Sequence, residues 1–218
     1  MTRDGAGARG RFITLEGGEG AGKSTQQRRL AAWLRARGIE VVETREPGGS
    51  PGAEEIRALL VTGGTGRWDA MTEALLHFAA RRDHLVRTVQ PALARGAWVV
   101  CDRFADSTMA YQGYGHDLGR EHIAALYELV VGSFRPDLTL VLDLPVAEGL
   151  ARAKSRNDHE NRYEQMDLAF HERLRAGFHD IVSREPERCV LVDAGVDLEA
   201  VTATIQAVVA ERLGVVAA

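Results

Sequence analysis

The sequence predicts an α/β fold in which helices cover both faces of a five-stranded parallel sheet. Short apolar runs alternate with amphipathic segments of helical periodicity along the chain. The run at 98–101 is apolar at consecutive positions, as expected of a strand that is buried on both faces. A glycine-rich segment at 17–22 separates the first strand from the first helix. Ligands of such sheets bind beyond the carboxyl ends of the strands, so we expect the site there.

The first elements follow from apolar spacing and from glycine and proline signals. A short apolar run at 11–16, followed by glycines, predicts a strand. The segment 22–37 places apolar residues on one helical face and ends at Gly38. A second strand is predicted at 39–44, and a short helix at 53–61 follows a turn rich in proline and glycine.

The middle of the chain repeats the alternation. A long helical pattern covers 71–93 and is interrupted near Pro91. The strand at 98–101 follows, and then helical stretches with a predicted loop between them at 113–119. The fourth strand is predicted at 138–144.

The last third of the chain completes the predicted sheet. A helix is predicted at 146–153, followed by a polar stretch at 154–161 that we expect to be exposed. A long helix at 163–184 precedes the fifth strand at 189–192, and a helix at 198–213 ends the pattern. The alternation therefore runs through to the end of the sequence.

Composition favours one globular domain of 218 residues with a tail at 1–10. Hydrophobic residues make up 45% and charged residues 27%, which excludes disorder, collagen and coiled coil as descriptions of the whole chain. The net charge of −4 argues against general binding of nucleic acid. We expect no membrane span and no secretory signal. Cys101 and Cys189 lie in apolar runs and are interpreted as buried thiols, so we expect a cytoplasmic protein.

The strongest functional signal is a phosphate-binding loop, or P-loop, that matches G-x-x-x-x-G-K-[ST]. The nucleotide-binding residues predicted from it are Gly17, Gly18, Glu19, Gly20, Ala21, Gly22, Lys23, Ser24 and Thr25. Glycines let backbone N–H groups surround phosphate oxygens at a helix N-terminus. The Lys23 ammonium reaches the β- and γ-phosphates, and the Ser24 hydroxyl binds Mg²⁺. The sequence therefore predicts binding of ATP with Mg²⁺.

The P-loop alone leaves several classes of protein open. A GTP switch needs a guanine-binding N-K-x-D motif, and this sequence has no Asn-Lys pair. Nothing in the sequence favours a motor or a regulatory ATPase. A phosphotransferase needs a second pocket for its acceptor and a lid that excludes water. Polar groups follow the second and third predicted strands, at 44–49 and 101–104, where such a pocket is expected.

Each acceptor-side residue also has a purely structural explanation. Arg45 and Arg57 could instead form surface pairs with Glu46 and Glu54. An aromatic residue at helical spacing, such as Phe78, is by default a core residue. We leave these alternatives open at this point.

Five motifs together resemble the bacterial thymidylate kinase family. In chain order they are GGEGAGKST, TREPGG, E-x-L-L-x-F-A-A-R-R, CDRFADSTMAYQG and FRPDLTLVLD. The resemblance extends from residue 12 to about residue 213. It implies a P-loop NTPase fold with a lid, Mg²⁺-dependent transfer of the ATP γ-phosphate to dTMP to give dTDP, and a homodimer. The alternative is a kinase for another nucleoside monophosphate.

The resemblance also implies roles for the charged residues around the phosphates. Glu19 approaches the 3′-hydroxyl of dTMP. Arg57 and Arg103 bind the acceptor phosphate, for which planar guanidinium groups are suited. Arg45 is assigned to the same substrate site, and Asp102 lies near the metal bound by Ser24. The catalytic set is Lys23, Arg103, Arg156 and Glu19.

The base and the sugar are assigned to a third group of residues. By resemblance, Arg81 binds a thymine carbonyl group and Thr108 and Gln112 contact the rest of the base. Tyr111 lies beside the sugar C2′, where it disfavours a ribose hydroxyl.

One position departs from the family pattern, in which a phenylalanine four residues before the arginine stacks on thymine. Here that residue is His77 and Phe78 follows it. Adjacent helical residues are about 100° apart, so only one of them faces the base. We favour His77 at the base and Phe78 in the core, and keep both as candidates.

The predicted lid, at about 154–163, follows the arrangement in which Gly20 replaces a basic residue of the P-loop and the lid carries the positive charge instead. The basic residues of the lid and its approach are Arg152, Lys154, Arg156 and Arg162. We favour a catalytic role for Arg156 above the other three. The alternative is a solvated basic surface, partly neutralised by neighbouring acidic residues.

Overall fold

Five parallel strands form one sheet in the computed structural model, which describes residues 9–154 and 162–216. The strands are β1 (Phe12–Gly17), β2 (Val41–Arg45), β3 (Trp98–Asp102), β4 (Leu138–Asp143) and β5 (Cys189–Asp193). Their order is β2-β3-β1-β4-β5, and every adjacent pair is parallel. The predicted five-stranded parallel sheet is therefore confirmed.

Helices connect the strands and cover the sheet. They are α1 (Lys23–Arg35), α2 (Pro51–Val61), α3 (Ala70–His84), α4 (Gln90–Ala94), α5 (Ala105–Thr108), α6 (Arg120–Val130), α7 (Val146–Lys154), α8 (Leu168–Arg184) and α9 (Leu198–Leu213). Two wider π-helical segments, Leu85–Val89 and Met109–Gly115, lie between α3 and α4 and after α5.

The interruption predicted near Pro91 is present: the pattern at 71–93 is divided into α3, a π-helical segment and α4, because Pro91 has no N–H to donate to the preceding turn. Two other predicted boundaries are wrong. Residues 113–115 belong to a π-helix, so the predicted loop at 113–119 begins later. The predicted helix at 163–184 starts with a short 3₁₀ turn, and α8 begins only at Leu168. The Asp167 side chain caps it by accepting a hydrogen bond from the Phe170 N–H at 2.7 Å.

Alternate residues of the central strands contribute to cores on opposite faces of the sheet. Ile13 and Leu15 of β1 pack with α1 and α9, in a cluster that includes Leu30 and Ile205. Phe12, the neighbour of Ile13, belongs to the cluster on the other face. Helices on both faces and a central sheet make three layers.

Strand register brings the chemically important termini to one edge of the sheet. Leu15 of β1 pairs with Asp102 of β3, and Arg45 of β2 pairs with the same Asp102. The P-loop, which follows β1, therefore lies beside the residues that follow β2 and β3. Within the described parts of the chain, no helix is both long and apolar enough to cross a membrane.

Candidate active site

The P-loop connects the end of β1 to the start of α1. Gly22 precedes α1 with φ of 89°, in the left-handed region that favours glycine. Lys23 is the first residue of α1, and its Nζ donates hydrogen bonds to the carbonyl oxygens of Gly17 at 3.2 Å and Gly18 at 2.7 Å. The ammonium group is therefore held against the loop that precedes it.

Ionisation of the loop residues reflects burial and neighbouring charge. Burial disfavours the ammonium form of Lys23, and Arg103 repels it, so the pKa of Lys23 is lowered to about 8. Beside it, the Ser24 hydroxyl donates to Asp102 Oδ2 at 2.5 Å. These two side chains offer a hydroxyl and a carboxylate oxygen, the ligand types that suit Mg²⁺.

Two clefts meet in front of the P-loop. The P-loop cleft has a volume of about 800 Å³. The residues that line only this cleft include Gly20, Gly22, Lys23, Ser24, Arg45 and Asp102. The second cleft has a volume of about 590 Å³. The residues that line only this cleft are Pro47, Val61, His77, Arg81, Phe104, Ser107, Thr108, Tyr111, Gln112 and Tyr163. The shared residues are Glu19, Glu46, Arg57 and Arg103. A group bound in either cleft is therefore within reach of the same arginines.

Arg103 and Glu19 form the junction of the two clefts. Arg103 donates to Glu19 Oε1 at 3.1 Å and to the Gly17 carbonyl at 2.9 Å, and the Tyr111 hydroxyl donates to the same Glu19 oxygen at 2.5 Å. Burial alone would raise the pKa of Glu19, but Arg103 and Lys23 outweigh it and lower the pKa to about 2. Arg103 has φ of 70°, a conformation that costs a non-glycine residue about 1–3 kcal/mol and is typical of functional sites.

Arg81 lies in the wall of the second cleft. Its Nε donates to Glu46 at 2.8 Å, and one terminal nitrogen donates to the Phe104 carbonyl and to Thr108 Oγ1, both at 3.0 Å. The other terminal nitrogen is buried and has no hydrogen-bond partner among the described residues. A residue that lines this cleft therefore carries one donor without a protein partner.

Comparison with known proteins identifies the family of this chain. The family model described as thymidylate kinase matches residues 15–205. A thymidylate kinase of Caulobacter vibrioides is 61% identical over 205 residues, which is 94% of this chain and 98% of the relative. One of Gluconobacter oxydans is 55% identical over 95% of this chain and 97% of the relative. This chain belongs to the thymidylate kinase family.

A solved structure extends the comparison to the fold. The crystal structure of thymidylate kinase from Ehrlichia chaffeensis superposes with a TM-score of 0.75 at 35% identity, and covers 92% of this chain and 99% of that one. The thymidylate kinase fold, a P-loop NTPase fold, is therefore shared along nearly the whole chain, as the sequence motifs predicted.

The burial of His77 and Phe78 shows which of the two faces the second cleft, at the position that departs from the thymidylate kinase family pattern. His77 lines the second cleft, and its Nε2 lies 2.9 Å from the Tyr163 hydroxyl. Phe78 is only 1% exposed and packs in a core cluster with Ala74 and Ile123. Phe78 is therefore in the core, as we favoured, and is withdrawn as a candidate base contact because the helix turns its side chain away from the cleft.

The basic lid residues have different surroundings. Arg156 lies outside the described residues. Arg162 is fully buried, forms an ion pair with Glu73 at 2.5 Å, and donates to the carbonyl oxygens of Leu60, Gly64 and Thr65. It is thus part of the wall between α2 and α3 rather than a phosphate contact or a solvated surface charge. Lys154 is exposed at the end of α7, and Arg152 pairs with Glu148.

Gly20 illustrates why the P-loop carries no basic residue at this position. Its φ is +70°, and a Cβ there would lie 2.0 Å from the Gly149 carbonyl oxygen. Any side chain at this position would therefore displace the backbone at the start of the approach to the lid. Whether the lid supplies the positive charge instead stays a prediction, since Arg156 lies outside the described residues.

Of the structural alternatives for two arginines, the surface ion pair of Arg45 is present. Arg45 forms an ion pair with Glu54 at 3.1 Å, with both side chains largely exposed. Arg57 donates to the Pro47 carbonyl at 2.7 Å. Both arginines nevertheless line the P-loop cleft, so these contacts orient them toward it.

Sequence reasoning missed two buried acids. Glu46 accepts hydrogen bonds from Arg81 and from His84 Nδ1 at 2.9 Å, and so fixes the guanidinium. Glu16 accepts from the Phe104 N–H at 2.7 Å and the Ser107 hydroxyl at 2.5 Å, and thereby holds the turn after β3. Burial and the nearby Asp106 raise the pKa of Glu16 to about 7. The sequence feature that could have indicated them is an acidic residue at the end of an apolar strand, Glu16 in β1 and Glu46 directly after β2.

Proposed function

We propose that this chain transfers the γ-phosphate of ATP to dTMP and so produces dTDP. The observation that carries the proposal is that the P-loop cleft and the second cleft share Glu19, Arg57 and Arg103. A kinase must hold two phosphorylated molecules with their reacting phosphates adjacent, and this geometry supplies one charged junction for both. Membership of the thymidylate kinase family supports dTMP as the acceptor.

On the donor side, the backbone N–H groups of 17–25 surround the ATP phosphates at the start of α1. The Lys23 ammonium neutralises the β- and γ-phosphates. Ser24 and Asp102 would hold Mg²⁺, which spreads the negative charge of the phosphates when it is bound. Their oxygen atoms fit this ion.

On the acceptor side, Arg103 and Arg57 bind the phosphate of dTMP, and Arg45 adds positive charge at the edge. Arg81 donates to a carbonyl group of the base through its unpaired terminal nitrogen. Thr108, Gln112 and His77 contact the rest of the base. These are the catalytic and binding roles that we assign to the second cleft.

Glu19 and Tyr111 complete the sugar site. The Glu19 carboxylate accepts from Tyr111 and Arg103 and is held ionised, so it accepts a hydrogen bond from the 3′-hydroxyl of the sugar. The Tyr111 ring lies beside C2′ and disfavours a ribose hydroxyl there.

The reaction needs positioning and charge stabilisation rather than a covalent intermediate. An acceptor phosphate oxygen is already ionised near neutral pH, so no strong base is required. Arg103 contacts both anions, and we assign it the largest share of the stabilisation. Arginines at comparable positions in phosphoryl transfer contribute about 10³–10⁵ in rate.

A coupled assay with MgATP and a panel of acceptors tests the proposal. We expect turnover to be highest with dTMP, lower with dUMP, and negligible with AMP and dGMP. Turnover of AMP without turnover of dTMP would identify a kinase for another nucleotide. Hydrolysis of ATP that needs no acceptor would instead identify a regulatory ATPase.

We also propose a homodimer that forms through α3. Leu75 of α3 and Val86 of the π-helical segment that directly follows it are 50% and 46% exposed, and about three helical turns separate them. On α6, Leu129 is 82% exposed. Light scattering should give the mass of a dimer, and Leu75→Glu should give a monomer; a monomeric wild-type protein at micromolar concentration would contradict the proposal.

A cytoplasmic location and a single domain complete the proposal. Cys101 and Cys189 are buried free thiols, which suits a reducing compartment. The sheet and its core include residues from both ends of the described chain, which supports one folding unit.

A further inference from the structure

Glu73 of α3 is a buried acid at the centre of a hydrogen-bond cluster behind the second cleft. Its side chain is 1% exposed. Its Oε1 accepts from Gln112 Nε2 at 2.7 Å and from the Tyr163 hydroxyl at 3.0 Å, and His116 Nε2 lies 3.4 Å away. Arg162 pairs with Oε2 at 2.5 Å. Glu73 contacts Gln112, a proposed base contact, but Glu73 itself has none of the roles assigned above.

We propose that Glu73 is a positioning residue that fixes the Gln112 amide, so that its carbonyl oxygen accepts the N3–H of a 4-oxo pyrimidine. The inference rests on the proposed function, because it concerns the base bound in the same cleft. It adds a residue that touches no substrate but determines which edge of a base is accepted.

The orientation of the amide follows from the chemistry of its partner. Burial tends to raise the pKa of Glu73, but the contact with His116 and the charges of His77 and Arg162 outweigh it and lower the pKa to about 2. An ionised carboxylate only accepts hydrogen bonds, so the Gln112 NH₂ group must face it. The carbonyl oxygen is then directed away from Glu73. Gln112 is fully buried and lines the second cleft.

The outcome is a matched pair of unsatisfied groups. Gln112 Oε1 is buried without a partner among the described residues, and so is one terminal nitrogen of Arg81. A buried polar atom without a partner is destabilising, and a ligand that pairs with it recovers that cost. Two residues that line the cleft thus carry one unpaired acceptor and one unpaired donor. The N3–H and O4 of thymine or uracil complement this pair, whereas the N3 and amino group of cytosine present the reverse pattern.

The carboxylate itself is rigidly held. Arg162 bonds Glu73 and also three backbone carbonyl oxygens, those of Leu60, Gly64 and Thr65. The Tyr163 hydroxyl donates to Glu73 and lies 2.9 Å from His77 Nε2. Rotation of the carboxylate would break several of these contacts, so the Gln112 amide has one stable orientation.

The test is a double-mutant cycle on substrate discrimination. The ratio of kcat/KM for dTMP to that for dCMP is measured in the wild type, Glu73→Gln, Gln112→Met and the double variant, with Glu128→Gln on exposed α6 as the control. We expect Glu73→Gln to lower the ratio about 10- to 100-fold, mainly through KM for dTMP, because Gln112 can then present either amide atom. In the Gln112→Met background the same change should alter the ratio by less than about twofold.

The control outcomes separate the possible failures. An unchanged ratio in Glu73→Gln, or an equal effect in both backgrounds, would overturn the inference and leave Glu73 a structural residue. If Glu73→Gln does not fold because Arg162 is left unpaired, Glu73→Gln combined with Arg162→Met replaces it in the cycle. If the wild type does not phosphorylate dTMP, the proposed function fails, and this is distinct from the failure of the positioning role.

Discussion

ATP binding should be coupled to proton uptake by Lys23. The side chain is 8% exposed, and its ammonium group is held by two carbonyl oxygens of the P-loop. Burial and the repulsion of Arg103 lower its pKa from 10.5 to about 8. At about 1.4 kcal/mol per pKa unit, this shift corresponds to about 3 kcal/mol that favours the neutral amine. A triphosphate beside the ammonium group reverses this preference and raises the pKa again.

The size of the effect depends on pH. At pH 7 about nine tenths of the free protein carries the proton on Lys23, so binding takes up only about 0.1 proton. At pH 8.5 about three quarters has lost it, so binding takes up about 0.75 proton. The affinity for ATP should therefore be about fourfold weaker at pH 8.5 than at pH 7. The affinity must fall rather than rise with pH, because the neutral amine of Lys23 accumulates as the pH rises through 8.

Isothermal titration calorimetry in two buffers with different ionisation enthalpies measures the number of protons taken up. The triphosphate is already ionised at pH 8.5, so it does not contribute. Lys23→Met should abolish the uptake. Lys154 is the other lysine of the sequence and is exposed on α7, so Lys154→Met should leave the uptake unchanged. Uptake below about 0.2 proton in the wild type at pH 8.5, or uptake that persists in Lys23→Met, would refute the reasoning.

Three further predictions concern single residues. Arg103→Ala should lower kcat/KM about 10³-fold or more because both anions lose their shared contact. The control Arg95→Ala removes an exposed ion pair with Glu40, and its kcat/KM should stay within about twofold of the wild type. Similar losses of kcat/KM in the two variants would argue against the role assigned to Arg103. His77→Ala should raise KM for dTMP with little change in the free energy of unfolding. Phe78→Ala should lower the free energy of unfolding by about 3–5 kcal/mol, measured by chemical denaturation, and leave KM nearly unchanged. The opposite pattern would place Phe78 at the base. For Glu16, the folded pKa of about 7 lies above the ordinary value of 4.5, so its contribution to stability is present below pH 4.5 and is lost as the pH rises through 7. Unfolding titrations at pH 5 and pH 7.5 should show a smaller loss in Glu16→Gln than in the wild type, and equal losses would contradict this assignment.

Patterns that depend on neighbours in the chain were predicted correctly. The alternation of apolar runs and helical segments led to the five parallel strands, and the P-loop motif lies between β1 and α1 as expected. The carboxyl ends of parallel strands meet at one edge of a sheet, so polar groups after β2 and β3 were expected beside the P-loop, and Asp102 does lie against Ser24. The strand order was not predicted and is known only from the structure. Helix boundaries were less predictable, because the π-helical segments near Pro91 and Gly113 depend on hydrogen bonds that a periodicity does not contain.

The sheet and the P-loop could be predicted from the sequence because each depends on local spacing or on a motif in one segment. Which side of α3 faces the second cleft follows only from packing, and this separated His77 from Phe78. It also brought Glu73, Gln112 and Arg162, from three distant segments, into one buried cluster. Whether an arginine binds phosphate or a buried carboxylate depends on partners that are far away in sequence, and only packing brings those partners together.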